Sequence, residues 1–206
     1  MKINCPYIIF TTEDLIPILQ SYRIGLPTHF ISYPITDFIT YHLRYLVQTH
    51  PIHCPSVDLN LIWNERIHMI RKAVNLDIFQ SDWYMWVDAG INVFRDISPP
   101  PIDISSISKI NTLPKNKLIY SSSNPIEAEL VTTTRYYHHI ASGTMIIHSG
   151  FISLFADAYY KYLMKLFDKN NIWTEQVILT HIHKYHPELF YKLTDGYGQI
   201  LTWIYN

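Results

Sequence analysis

An α/β fold with a mostly parallel central sheet flanked by helices is what this sequence predicts, on three observations. Short apolar runs alternate with longer segments of helical period. The first of these form a strand–helix–strand opening, an order that favours parallel pairing through right-handed crossovers. The run Trp83-Tyr84-Met85-Trp86-Val87 has no polar face, as a strand covered by helices on both sides requires.

The elements follow in order. Pro6 to Phe10 is a continuous apolar strand. Thr11-Thr12-Glu13-Asp14 then carries the hydroxyl caps and early acids of a helix start. Leu15, Ile18, Leu19 and Tyr22 lie at helical spacing, Gly25 closes the segment, and Thr28 to Tyr33 reads as the second strand. A second helical pattern runs from Asp37 to Val47, followed by a loop to Pro55. Leu61 to Val74 predicts a helix with Ile67, Ile70 and Val74 inward and Arg71-Lys72 elsewhere. The Trp83–Asp88 strand follows, then a loop through Asp96 and a Ser98–Pro101 stretch that proline keeps out of helix and strand. Lys117–Ser121 and Thr144–His148 predict further short strands. Phe151–Phe167 is an amphipathic helix, and Trp173–Tyr185 another, stopped by Pro187. No repeat or convincing boundary divides the chain, so one domain of 1–206 is expected.

Composition narrows the function classes. Sixteen basic residues against 17 acidic ones give a net charge of −1, without the basic excess that nucleic-acid binding calls for. The first apolar stretch is too short for a signal-peptide core or a membrane span, so a cytoplasmic protein is expected. Two cysteines, Cys5 and Cys54, form no CxxC and suggest neither a disulfide framework nor a thiolate zinc site. No G-x-G-x-x-G follows the first strand, and no G-x-x-x-x-G-K-[ST] occurs, so neither common phosphate cradle is present. Aromatic residues make up 15% of the chain; sugar-stacking surfaces and a homodimer interface would both use them.

Candidate site residues gather at strand ends. In open α/β sheets ligands bind beyond the carboxyl ends of the strands, where the sequence sets Asp88-Ala89-Gly90 and, at the end of the first strand, Thr11-Thr12. Asp88 either caps a turn or serves as a functional acid with two small residues leaving room beside it. A carboxylate there could hold a hard divalent cation, and the hydroxyls of Thr11 and Thr12 could bond a base or ribose. Ala141-Ser142-Gly143-Thr144 is either a plain turn or a place where a sugar ring lies against the backbone. Glu175 either complements its helix dipole or, with Gln176, meets sugar hydroxyls at a pocket rim. Thr194-Asp195-Gly196-Tyr197-Gly198 is either a surface loop or a closing segment, with Asp195 as a second metal ligand. His181, His183 and His186 do not share one helix face, so zinc is not expected there.

Taken as an ordered set, Pro6–Thr11, Ile62–Ile67, Lys72-Ala73 and Phe79–Ile91, with the W-x-D-A-G core at Trp86–Gly90, resemble the bacterial HtrL/YibB-like glycosyltransferases. Ala141–Thr144, Thr174-Glu175-Gln176 and His186–Phe190 continue the likeness. Compact giant-viral proteins of this type include a group resembling collagen galactosylhydroxylysyl glucosyltransferases. The resemblance implies a GT-A (Rossmann-like) fold and transfer of a hexose, glucose before galactose, from a UDP-sugar to a hydroxyl acceptor, with Mn²⁺ (or Mg²⁺) as cofactor. The acceptor could be galactosyl-hydroxylysine of collagen, with retention at the anomeric carbon. It further implies a donor-binding half over about 1–95 and an acceptor half over about 117–206. By position, Asp88 matches the metal-binding acid and Glu175 the acid at the reacting centre. Thr11, Thr12, Lys72, Ala89, Gly90, Gly143, Thr144, Gln176 and Tyr197 fall on the donor side. Gly90 replaces the second acid of the usual D-x-D. The alternative is an inert saccharide- or nucleotide-sugar-binding module with a degenerate site.

Overall fold

The computed structural model describes residues 3–52, 54–90, 100–104, 108–124, 138–168 and 171–206. The chain opens with β1 (Tyr7–Thr11), α1 (Ile16–Ser21) and β2 (Thr28–Ser32). The long α2 (Val57–Leu76) and β3 (Trp83–Val87) follow, then β4 (Leu118–Ser122), β5 (Ile140–His148) and α3 (Ser149–Leu166). The chain ends with α4 (Glu175–Tyr185), β6 (Phe190–Asp195) and α5 (Gln199–Tyr205). The part of the loop expected through Asp96 that follows Gly90 and the Ser98-Pro99 part of the proline run lie outside the described residues.

β1 and β2 pair in parallel, as the opening unit predicts, and form a two-stranded sheet. The other sheet has the order β3-β5-β4-β6 and is mixed rather than mostly parallel. β5 runs antiparallel to both β3 and β4, whereas β4 and β6 are parallel. The expectation that Ala141–Thr144 forms a turn before a strand is corrected here, because those residues lie inside β5. With β5 reversed between them, β3, β4 and β6 all point the same way, so their carboxyl ends share one edge.

That sheet is covered on both faces, and the period of two shows it. Leu118, Tyr120, Met145 and Ile147 enter the core under α2, α3 and α4, with Phe155, Tyr159 and Ile178. Ile119 and Ile146 point the other way, into a second cluster with Ile200, Leu201 and Ile204 of α5. In β3, Tyr84 and Trp86 pack on the first side and Trp83, Met85 and Val87 on the second. Gly196 (φ 95°) and Gly198 (φ 73°) make the tight turn between β6 and α5 in a backbone region that side chains resist.

The helix expected over Asp37–Val47 is replaced by two short 3-10 turns, Ile35–Asp37 and Tyr41–Leu43. The reason lies in Glu65 of α2, which is fully buried. Its carboxylate takes the Ile39 and Thr40 amides, each at 3.0 Å, and the hydroxyls of Thr40 at 2.8 Å and Tyr33 at 3.0 Å. The segment so held has Phe38 extended (φ −63°, ψ 139°), and an extended residue interrupts a helix. α2 itself is longer than expected, starting at a Ser56 cap whose hydroxyl accepts from Leu59 N.

Candidate active site

The site is built where β3 ends. Asp88 continues the ladder through its amide, which donates to the Gly143 carbonyl at 2.9 Å. Its carboxylate turns to the same side as Trp86, two residues back, whose indole Nε1 donates to Oδ1 at 2.7 Å. Oδ2 accepts from Nη2 of Arg66 at 2.6 Å. Arg66 comes from the middle of α2, and its Nη1 donates to Ser142 Oγ at 3.0 Å and to Glu175 Oε1. The Ser142 hydroxyl also donates to Glu175. One guanidinium thus joins the end of β3, the start of β5 and the first residue of α4.

The sheet is irregular at this place. Tyr120 pairs with Met145 but Ser121 with Ala141, so β5 passes Ser142, Gly143 and Thr144 along a single step of β4. On the other flank Tyr120 pairs with Lys192 and Ser121 with Thr194. Bulges of this kind re-aim side chains beside functional sites, and here Ser142 reaches the Arg66–Glu175 pair. The chain entering α4 is held in the same way. Asn64 and Asn60 donate to the Trp173 carbonyl at 2.9 and 3.3 Å, and Tyr159 donates to Asn64 Oδ1 at 2.8 Å.

Electrostatically the centre is two acids against one cation. Burial raises the Asp88 carboxyl above its ordinary value, while Arg66 and the Trp86 indole pull the other way. Burial likewise raises Glu175, opposed by Arg66 and Ser142 and reinforced by the Asp88 charge. Glu175 is 1% exposed, so it stands in the wall of the site and not at a rim.

Further along the same edge, Ser122, Ser123, Asn124, His139, Lys192 and Asp195 line a cavity of about 360 Å³. Ser122 Oγ donates to Asp195 Oδ1, and Lys192 Nζ donates to it at 3.0 Å. These contacts, the serine first, hold the Asp195 carboxyl below its ordinary value. Behind the cavity wall, His139 Nε2 lies 2.9 Å from the Tyr120 hydroxyl, which is 3.1 Å from His183 Nε2. Tyr197 meets His138 and receives the Gln176 amide at 3.4 Å, which ties the start of α4 to the segment that leads into β5.

The residues singled out from the sequence divide into three groups. Asp88 and Glu175 are brought together through Arg66, with Gly143 bonded to the Asp88 amide. Asp195 lines the cavity beside Ser122, and Gln176 bonds Tyr197, which meets His138. Thr11 and Thr12 end β1, where Thr11 O accepts from Tyr33 N. Tyr33 in turn bonds Glu65 and carries the Lys72 ammonium 4.9 Å over its ring. Thr144 is fully buried, with its hydroxyl unpartnered among the described residues, and so does not present itself to a sugar. Ala89 and Gly90 are exposed, and a Cβ added at Gly90 would meet nothing within 4 Å.

A cation shared by Asp88 and Asp195 does not fit. The two acids end β3 and β6, three strand spacings apart, roughly 14 Å at the usual sheet spacing. Both Asp88 oxygens already carry a donor, one of them cationic. Among the described residues no group of three histidines, cysteines or carboxylates could hold a metal ion. Sequence reasoning missed Arg66, Ser142, Asn60 and Asn64 as site-building residues. The available signal was polar residues on the apolar face of α2, where Asn60 and Asn64 stand one helical turn apart.

No family model and no curated protein matches the chain, so the HtrL/YibB likeness rests on its motifs. The fold does have a counterpart. The chain is similar to the crystal structure of mouse xyloside xylosyltransferase 1 in its apo form, with a TM-score of 0.51 and 13% sequence identity. The match covers 90% of this chain and 70% of that one, and it is a likeness of fold: an α/β, glycosyltransferase-like architecture.

Proposed function

We propose that this chain is a glycosyltransferase that moves a hexose, glucose in the first instance, from a UDP-sugar to a hydroxyl acceptor. The observation that carries the reading is the Asp88–Arg66–Glu175 cluster at the carboxyl edge of the sheet in a glycosyltransferase-like fold. In the transfer, the anomeric carbon leaves the β-phosphate oxygen, which keeps the bonding pair, and bonds to the acceptor hydroxyl oxygen, whose proton passes to the departing phosphate. Fixed charges placed around a developing oxyanion lower that barrier most. Asp88 and Glu175 position the guanidinium, and the Trp86 indole fixes Asp88.

On the acceptor side, the cavity near Ser122 and Asn124 offers hydroxyl, amide, ammonium and carboxylate groups together. Paired Lys192 and Asp195 leave little net charge, which suits a neutral polyol such as a galactosyl unit better than a second phosphate. A galactosyl-hydroxylysine acceptor and retention at the anomeric carbon belong to this proposal through the motif resemblance alone.

A second reading is favoured by one observation: Asp88 is already engaged on both oxygens, as a degenerate, binding-only site would allow. Full-length protein incubated with UDP-glucose, UDP-galactose and UDP-xylose, with and without glycosylated acceptors, separates the two. UDP release supports the transferase. Tight binding with no release across the panel supports the inert module and defeats the proposal.

A further inference from the structure

We propose that this site holds a nucleoside diphosphate sugar without a resident divalent cation, the Arg66 guanidinium serving as its fixed positive charge. The inference rests on the nucleotide-sugar reading above and goes past it, because the motif resemblance implied manganese.

The argument starts from the carboxylate that would have to bind the metal. Asp88 Oδ1 is taken by the Trp86 indole and Oδ2 by Arg66 Nη2 at 2.6 Å. A cation seated on the remaining lone pairs would stand beside a guanidinium charge, and like charges at such range repel strongly where water is scarce. Of the other acids, Glu175 is bound to Arg66 and Ser142, and Asp195 is bound to Ser122 and Lys192 three strands away. Gly90, at the place of a second acid, has no side chain to offer.

Arg66, in contrast, has donors to spare. A guanidinium carries five N–H groups, and the contacts to Ser142, Glu175 and Asp88 occupy three. Its Nε is buried and has no partner among the described residues. An unpaired donor in a buried cation is costly, and a phosphate oxygen is the acceptor that guanidinium geometry suits best. The side chain is 6% exposed and held from three directions, so little ordering is left for the ligand to impose.

The test is calorimetric titration of UDP and UDP-glucose into the full chain stripped with EDTA, repeated with Mn²⁺ and with Mg²⁺. The expected dissociation constants agree within about twofold across the three conditions. Asp88→Asn keeps the size of the side chain, gives up one of its two acceptors and removes a negative charge, so UDP binds it several-fold more tightly. Arg66→Lys keeps the charge but loses the fork, and weakens UDP by about tenfold or more. Binding that appears only with added cation, and is lost in Asp88→Asn, overturns the inference and leaves the nucleotide-sugar reading standing. No UDP binding under any condition overturns both.

Discussion

Glu65 and Arg66 are neighbours on α2 that fasten different parts of the molecule. The glutamate takes the Ile39 and Thr40 amides and the Tyr33 hydroxyl from the segment after β2. The arginine takes Asp88 and Glu175 from the four-stranded sheet and the start of α4. Both are buried. Two adjacent buried charges therefore set where the opening βαβ unit stands relative to the site.

Removing the arginine should be costly to the fold. Arg66→Met leaves Glu175 buried without a cation, a loss of about 3–5 kcal/mol. Urea unfolding of the wild type and the variant measures it. A loss below 1 kcal/mol (roughly the worth of an exposed pair) would mean that the buried pair contributes little.

Glu65→Leu should loosen the segment around Ile39 and Thr40 and cost about 2–3 kcal/mol, because two backbone amides lose a charged acceptor. Hydrogen exchange reports it directly: the Ile39 and Thr40 amides should lose protection before those of β4 and β5. Unchanged protection at both amides would contradict the anchoring role of Glu65.

Asp88→Ala should lower UDP release from UDP-glucose by at least about tenfold with little change in melting temperature, since its side chain is 28% exposed. Equal losses of stability and turnover would point to a structural role only.

Acid should destabilise the protein through its histidines. Burial, aided by the Arg71 charge, lowers His68 to about 4, and burial lowers His183 to about 4, each from 6.5. Between those values the unfolded chain binds protons that the fold refuses, so stability falls as pH drops through that window. Asp88 and Glu175, raised by burial, act with the opposite sign, gaining stability as pH falls through their raised values. His68→Phe should therefore gain stability over the wild type at about pH 5, by about 2–3 kcal/mol at most, and less at about pH 8. Parallel pH–stability curves would show that His68 does not contribute.

Much of this fold was legible because burial is written in local pattern. The β1–α1–β2 opening, β3, α3 and α4 follow from apolar period alone, within a few residues. The misses have a common physical cause: partners distant in sequence. Nothing near Asp37 announces that Glu65 will claim the next amides. Nothing near Ala141 announces that β5 runs backward between two parallel neighbours and carries a bulge. Asp88 was visible as an acid at a strand end, and Glu175 as an acid at a helix start. What turns them into one site is Arg66, one of two adjacent charges buried in an otherwise apolar helix pattern, and the two acids it joins lie 22 and 109 residues away.

That separation bears on how the molecule comes into being. The Arg66–Glu175 and Asn64–Trp173 links each close a loop of 109 residues, and loop closure must precede the contacts that reward it. While the chain is being synthesised, Asp88 and Arg66 emerge long before Glu175, and until then Arg66 has only the first of its two acids to pair with. The Arg66–Glu175 pair is thus completed late, when the α4 segment docks. A ribosome-stalled chain ending before Trp173 should already pair β1 with β2 yet bind no nucleotide.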